Sequence, residues 1–213
     1  MSNISQEDMQ KTFIALMDAI LPSTPKLGEK EGSEFTLSAY DMGVHEYVIY
    51  SLNHYISLQE QFSLAPIRLA APTAELLNTA SIHLLNTNRV ETALKQTVPP
   101  KLLFPELSPS DRIRVLSMLE SLDLDLFSLP YPFKNNGGLV KHITDALNRF
   151  AMLGYYSEWP GYGITKKNDM KERKLEYLPL SWKQTGYPGV SHGHRDLRGF
   201  LLELKHGGKK NGK

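Results

Sequence analysis

The chain has 213 residues, of which 41% are hydrophobic and 22% are charged, and it contains no cysteine. This composition is typical of a globular protein with a sizeable core, and it excludes disulfides, thiolate metal sites and cysteine nucleophiles. The net charge of +1 provides no overall field that would attract nucleic acid or an anionic membrane, so nucleic-acid binding is not expected.

The beginning of the chain, Met-Ser-Asn-Ile-Ser-Gln-Glu-Asp, is polar and acidic and has no basic stretch followed by an apolar run. This is not the pattern of a secretory signal peptide. No run of apolar residues approaches the roughly 18 that a transmembrane helix needs. The sequence therefore predicts a cytoplasmic protein with no signal peptide and no transmembrane segment.

The first two predicted helices are separated by a loop. Ser5, with Asp8 three residues later, is typical of a helix N-cap, and the helix is predicted to end at Leu21-Pro22. Residues 23–35 are rich in proline, glycine and charge and are predicted to form a loop. Apolar residues at helical spacing then predict a longer helix over about 38–62.

Prolines mark the limits of the next two predicted helices. Pro66 and Pro72 are expected to bracket a short connection, after which Thr73 begins a third helix. A fourth, short helix is predicted over about 89–97, before a pair of prolines at 99 and 100.

The strongest local pattern is Ser108-Pro109-Ser110-Asp111, with a capping serine, proline at the first helical position and an acid at the third. The helix that follows is predicted to bury one apolar stripe: Ile113, Leu116, Leu119 and Leu122. Asn136-Gly-Gly is predicted to be a turn before a helix over about 139–153, and Gly154 is expected to end that helix.

Beyond residue 154 the chain becomes aromatic and rich in glycine and proline. We predict an irregular segment over 155–194, a short C-terminal helix over 195–205 and a basic tail over 206–213. With a helical core over about 5–154, this predicts a mainly α protein: one domain, a helical bundle with a long irregular C-terminal segment.

The aromatic segment carries seven tyrosines and tryptophans, including both tryptophans of the chain. Long irregular segments in compact domains are usually functional or disordered, and large aromatic side chains favour order because their burial offsets the entropy lost. The segment is expected either to pack onto the bundle or to present its aromatic side chains to a partner. The candidate partner-binding residues are Tyr156, Trp159, Tyr162, Trp182 and Tyr187.

A metal site is one alternative reading of the end of this segment. His192 and His194 alternate along the chain, and Asp196 follows, so an extended backbone could direct the three side chains toward one ion. The competing interpretation is a polar turn in which Asp196 caps the last helix. No further cluster of histidine or carboxylate supplies another ligand by spacing.

No catalytic set is evident elsewhere in the sequence. Glu60, Glu75, Asp123 and Asp125 could form an acid–base pair, but carboxylates on amphipathic helices are usually solvated. No serine has the context of a nucleophile elbow, and no glycine-rich phosphate-binding loop follows a strand. We therefore predict no catalytic residue and no cofactor in this chain.

Several short motifs, in order along residues 10 to 200, resemble the gluconate 2-dehydrogenase subunit 3 family. They are Phe13-Ile-Ala-Leu-Met-Asp-Ala-Ile-Leu-Pro22-Ser-Thr-Pro25, Ala39-Tyr-Asp-Met-Gly43-Val-His-Glu-Tyr47-Val, Ser108-Pro-Ser-Asp-Arg112, Gly154-Tyr-Tyr, Trp159-Pro-Gly-Tyr-Gly163 and Trp182-Lys-Gln-Thr-Gly186-Tyr-Pro-Gly189. The resemblance implies a helical, non-catalytic small subunit that partners a flavoprotein dehydrogenase of the glucose–methanol–choline type.

The resemblance also implies that FAD and the oxidation of a sugar or polyol belong to the large subunit, which the small subunit helps to mature, to stabilise or to export. Many members of the family begin with a twin-arginine export signal, and this chain does not. The expected location is thus the cytoplasm, or a membrane surface reached through the complex. The alternatives from other classes are a metal-dependent enzyme using His192, His194 and Asp196, and a self-associating structural protein, a homo-oligomer.

Overall fold

The computed structural model describes residues 4–32, 36–56, 58, 66–91 and 102–187. The regular structure of these residues is helical, with no β-strand among them, which confirms the mainly α prediction. The α-helices are α1 (Gln6–Ile20), α2 (Pro25–Glu31), α3 (Val44–His54), α4 (Ala70–Asn86), α5 (Pro109–Ser121), α6 (Gly137–Tyr156) and α7 (Leu180–Thr185). Within these ranges, no helix combines the length and the apolar character that crossing a bilayer requires.

One hydrophobic core joins five of the helices. α1 contacts α3, α4, α5 and α6, and α3 packs along α6. Phe13, Leu16 and Met17 of α1 are fully buried at the centre of this core, together with Leu52 of α3 and Leu119 of α5. The bundle provides the rigid face on which the aromatic segment lies.

Two of the predicted helix starts are confirmed by their capping bonds. The Ser5 hydroxyl accepts a hydrogen bond from the backbone N–H of Asp8 at 3.0 Å. The Ser108 hydroxyl accepts one from the N–H of Asp111 at 3.2 Å. Both caps depend only on residues within one helical turn, which is why the local sequence is sufficient to predict them.

The loop predicted over 23–35 is wrong in part, because Pro25 begins the short helix α2. Proline is well suited to a first helical position, where its missing N–H has no intrahelical partner. The helix predicted over 38–62 is also wrong in its bounds. Asp41 accepts hydrogen bonds from the N–H and hydroxyl of Ser38, which holds a turn, and Gly43 has a positive φ of 67°, so α3 begins at Val44.

α4 begins at Ala70, so Pro72 does not end the connection as predicted but lies inside the first turn of the helix. Proline is tolerated there because the first N–H groups of a helix have no intrahelical acceptor. Residues 89–91 are not helical, which removes the beginning of the helix predicted over 89–97, and the rest of that prediction lies outside the described residues.

The predicted apolar stripe of α5 is confirmed except at Ile113, which is exposed. Leu119 is fully buried, and Leu116 and Leu122 pack against the core from partly buried positions. The buried face also includes residues that the stripe omits: Arg112, Val115 and Met118. The guanidinium of Arg112 donates hydrogen bonds to the backbone carbonyls of Ala15 and Pro105 and to the Asp18 carboxylate. The buried arginine therefore satisfies two backbone carbonyls and one carboxylate beside the apolar core.

α6 is longer at both ends than the helix predicted over 139–153. The Asn136 side chain caps it by accepting from the N–H of Leu139, so the two glycines form its first turn. At the other end Gly154 does not terminate α6, which continues to Tyr156. A Cβ built on Gly154 would lie 2.7 Å from Tyr47 Cδ1 and 2.8 Å from Val44 Cγ1, so this glycine allows α3 to approach α6 closely.

The segment predicted to be irregular over 155–194 contains regular structure. Its first two residues complete α6, a 3₁₀ segment spans Trp159–Lys167, and α7 follows at Leu180–Thr185. Residues 188–194, the predicted helix over 195–205 and the basic tail over 206–213 lie outside the described residues.

Candidate functional site

The 3₁₀ segment is fixed to the bundle by Trp159. Its side chain is only 3% exposed, and its indole N–H donates to the carbonyl of Gly43 at 3.0 Å. The Trp159 ring meets the ring of Tyr47 edge to face, with 5.4 Å between centroids, and lies 6.1 Å from that of Tyr50. Trp159 therefore binds the segment to α3 through both packing and a hydrogen bond.

The glycines of the Trp-Pro-Gly-Tyr-Gly motif allow the returning chain to lie against the 3₁₀ segment. The backbone N–H of Glu176 donates to the carbonyl of Gly161 at 2.9 Å. Gly163 has a positive φ of 51°, and a Cβ there would lie 1.8 Å from Glu176 Oε2. The Glu176 carboxylate accepts from the N–H of Ile164 at 3.3 Å. These contacts hold residues 159–179 in a closed arm.

Trp182 of α7 closes the other side of the site. It is 6% exposed, and its indole N–H donates to the carbonyl of Tyr156 at 2.9 Å. The Tyr187 ring meets the Trp182 ring edge to face at 4.8 Å. The Tyr155 hydroxyl donates to the side-chain oxygen of Gln184 at 3.1 Å, which ties α7 to α6 a second time.

Between Trp159 and Trp182 lies an open cleft of about 850 Å³, which we call the aromatic cleft. Residues from α3, α6, the closed arm and α7 line it. Its lining residues are Tyr47, Tyr55, Tyr156, Ser157, Glu158, Trp159, Tyr162, Met170, Arg173, Trp182, Thr185 and Tyr187. Tyr156 and Tyr187 are 49% and 45% exposed, so two aromatic rings remain available on a frame that the buried tryptophans hold.

Two polar side chains that line the cleft are bonded to each other. The Tyr162 hydroxyl donates to Glu158 Oε2 at 2.6 Å. Burial, reinforced by this hydrogen bond to the carboxylate, raises the pKa of Tyr162 to about 12. Tyr162 therefore remains protonated at neutral pH and holds Glu158 in place rather than acting as a base.

Arg173 is a residue of the cleft that the sequence did not single out. Its guanidinium lies over the Tyr50 ring at 4.6 Å and faces the Trp159 ring at 5.4 Å. Its Nε donates to the carbonyl of Asn168 at 3.1 Å. The alternating charges around Arg173 are typical of an exposed loop tip, and only the return of the arm onto α3 brings it to these rings.

The structure brings the five predicted partner-binding residues together around one cleft, but in two different roles. Trp159 and Trp182 are buried and pack the segment onto the bundle. Tyr156 and Tyr187 are the exposed members, and Tyr162 is half-buried beside Glu158. Binding of a partner at this cleft stays a prediction.

The remaining candidate residues are either outside the described part of the chain or separate from one another. His192, His194, Asp196 and Glu60 lie outside the described residues. Asp123 pairs with Arg89, and Asp125 caps a short 3₁₀ turn, whereas Glu75 lines a separate small pocket on α4. In the part of the chain that the structure describes, no three histidines and carboxylates are grouped so that they could hold a metal ion.

His45 on α3 makes stability depend on pH. Its ring stacks on that of Tyr40, and its Nδ1 is buried with no hydrogen-bond partner among the described residues. Burial lowers the pKa of His45 below its ordinary value of 6.5, against a smaller opposing effect of Glu46. The unfolded chain therefore takes up the proton first, so the contribution of His45 to stability is complete above about pH 6.5 and is lost as the pH falls.

We expect the melting temperature of the wild-type chain to fall more steeply than that of His45→Gln between about pH 7 and pH 5.5. Thermal melts followed by circular dichroism at several pH values test this, with His142→Gln as a control because His142 is exposed on α6. Parallel pH profiles for the wild type and His45→Gln would show that the burial of His45 has no such effect.

Comparison with known proteins adds no family to these observations, because no protein-family model, no curated protein and no solved structure matches this chain.

Proposed function

We propose that this chain is a non-catalytic accessory subunit that docks, through the aromatic cleft, onto a flavin-dependent sugar or polyol dehydrogenase. The observation that carries the proposal is the contrast within the cleft. Trp159 and Trp182 form a buried, hydrogen-bonded frame, and this frame holds the rings of Tyr156 and Tyr187 at the surface. Rigid, half-exposed tyrosines are the side chains in which protein interfaces concentrate binding energy.

Met170 adds an exposed apolar side chain to this surface. It is 64% exposed and lines the cleft, where its sulfur lies 3.8 Å from the Tyr55 hydroxyl. Together with Tyr156 and Tyr187 it forms a group of exposed apolar side chains, which is typical of an interaction surface, whereas single exposed hydrophobic residues need no explanation.

The resemblance to gluconate 2-dehydrogenase subunit 3 supplies the class of partner in this proposal. Two of its motifs begin at Trp159 and Trp182, and both of these residues line the cleft. A third motif, Gly154-Tyr-Tyr, contains the glycine at which α6 contacts α3 closely and ends with Tyr156, which also lines the cleft. Motifs that are separate in sequence thus contribute to one surface, which supports a role for this surface in partner binding.

In this proposal the flavin and the oxidation chemistry belong to the large subunit. The small subunit contributes binding surface, and no residue of this chain is assigned a catalytic role. We place the complex in the cytoplasm or on a membrane surface that the large subunit reaches. A homo-oligomer formed through the same cleft is the competing outcome of the experiment below.

Affinity purification of the tagged full-length chain from its native host, followed by mass spectrometry, tests the proposal. We expect a flavoprotein dehydrogenase to co-purify with the wild-type chain. Tyr156→Ala should weaken its retention by about 30-fold, equivalent to about 2 kcal/mol. The substitution leaves in place the Tyr156 carbonyl that accepts the Trp182 indole, so the frame of the cleft should survive.

Phe127→Ala is the matched control, since Phe127 is an aromatic side chain with 64% exposure that does not line the cleft. It should retain the dehydrogenase as well as the wild type does. Equal retention by Tyr156→Ala, or purification of the chain without any oxidoreductase, would contradict the proposal.

A further inference from the structure

Arg173 places an unneutralised positive charge in the aromatic cleft. No carboxylate of the described residues forms an ion pair with it, and its one hydrogen bond there runs from Nε to the Asn168 carbonyl. Nη2 is enclosed and has no acceptor among these residues. Nη1 is neither hydrogen-bonded nor enclosed among these residues, and Arg173 lines the cleft, so this nitrogen is the part of the guanidinium that a ligand can reach.

The rings of Tyr50 and Trp159 lie close to the Arg173 guanidinium, at 4.6 and 5.4 Å from its central carbon. A guanidinium donates its hydrogen bonds along its edges, in the plane of the group. Because Nε already donates to the Asn168 carbonyl and Nη2 is enclosed, Nη1 is the nitrogen left for an acceptor from outside, and a carboxylate oxygen is the acceptor that such a charged N–H binds most strongly. The contact with the rings also limits the side-chain entropy that Arg173 would lose on binding.

The other charges near the cleft do not neutralise Arg173. Residues 166–174 include five basic and two acidic side chains, so the arm around Arg173 is positive. Glu158, the one carboxylate that lines the cleft, is engaged by the Tyr162 hydroxyl. Glu46 lies 3.6 Å from the Lys167 ammonium group. None of these carboxylates is paired with Arg173, whose positive charge remains available to an anionic group.

We propose that the cleft recognises a carboxylate of the partner protein, carried by an acidic residue with an aromatic residue beside it. The carboxylate binds the edge of the Arg173 guanidinium, and the neighbouring ring packs against Tyr156 and Tyr187. This inference rests on the proposed function in that the occupant is a protein segment, and it adds the chemistry by which that segment is chosen.

Peptide binding tests the inference directly, because the only two tryptophans of the chain, Trp159 and Trp182, both line the cleft and report on it by fluorescence. The probes are the capped peptide acetyl-Gly-Phe-Asp-Phe-Gly-amide and the same peptide with asparagine in place of aspartate. We expect the aspartate peptide to bind the full-length chain about fivefold more tightly than the asparagine peptide.

Two variants locate this preference. In Arg173→Gln the two peptides should bind equally, whereas Lys171→Gln, an exposed position on the same arm with the same loss of charge, should keep the preference. Arg173 also packs against the rings, so Arg173→Gln could change binding by disturbing them. Binding to the wild type is therefore also measured at increasing salt, which weakens an ion pair without altering the rings. The aspartate peptide alone should then lose affinity, as an ion pair predicts.

The inference is overturned if the wild type does not distinguish the two peptides, or if Lys171→Gln abolishes the preference as fully as Arg173→Gln does. Its failure is distinct from failure of the proposed function. If the chain retains a dehydrogenase through Tyr156 but shows no preference for the aspartate peptide, only the proposed recognition of a carboxylate is rejected. If the chain prefers the aspartate peptide but no oxidoreductase co-purifies with it, the carboxylate site is supported and the proposed dehydrogenase partner is rejected.

Discussion

Replacing Trp182 with alanine should lower the free energy of unfolding by about 3–5 kcal/mol, the usual cost of truncating a buried tryptophan. Trp182 is almost fully buried, its indole N–H holds the carbonyl at the end of α6, and its ring supports Tyr187. Alanine removes this packing and leaves the Tyr156 carbonyl without its donor. Any weakening of partner binding should result from the lost support of Tyr156 and Tyr187 and not from the loss of a direct contact between Trp182 and the partner.

Denaturant unfolding followed by circular dichroism measures the effect, with the fluorescence of Trp159 as a second probe inside the cleft. Trp182→Phe is the control, because it keeps a large ring and loses mainly the hydrogen bond, worth about 1 kcal/mol. If Trp182→Ala unfolds at the same denaturant concentration as the wild type but no longer retains a partner, Trp182 contacts that partner directly, and its assignment as a buried structural residue is wrong.

Replacing Gly154 with valine should cost about 2–3 kcal/mol, because the new side chain has no room between α6 and α3. Even the first added carbon would approach Tyr47 and Val44 to less than 3 Å. Valine has a better helix propensity than glycine by a few tenths of a kcal/mol, which offsets only a small part of the overpacking. Since the Tyr47 ring lines the cleft, its displacement should also weaken partner binding.

Thermal melts of Gly154→Val beside Gly138→Ala test this effect within one helix. A Cβ on Gly138 meets nothing closer than 3.8 Å, and alanine favours the helix, so this variant should be as stable as the wild type or slightly more stable. An equal response of the two variants would show that α3 does not approach α6 as closely as the structure indicates.

The features of the fold that the sequence predicts are those that depend on neighbours along the chain. The serine caps of α1 and α5 are examples, because donor and acceptor lie within one turn of each other. Gly154 is not recognised as a residue inside a helix, because its role is a contact with a helix distant in sequence. Pro72 is different, because a proline is tolerated throughout the first turn of a helix and so does not by itself mark where the helix begins.

The candidate site shows the same division. Composition alone predicts that the tyrosines and tryptophans matter, but not that the tryptophans are buried and Tyr156 and Tyr187 exposed. Arg173 was missed because its neighbours in sequence are charged residues of a typical loop. Its contact with Tyr50 exists only after the arm folds back onto α3. The sequence feature that comes closest to indicating Arg173 is the excess of basic residues over 166–174, shortly after the aromatic motif that begins at Trp159.

Light scattering of the chain purified from its native host, combined with the flavin absorbance of the same peak, shows whether the chain is part of a flavoprotein complex. We expect a complex that contains one large partner and one flavin for each copy of this chain, and we expect Tyr156→Ala to dissociate it. A flavin-free peak with the mass of a monomer, or of a homo-oligomer that survives Tyr156→Ala, would contradict the proposed function.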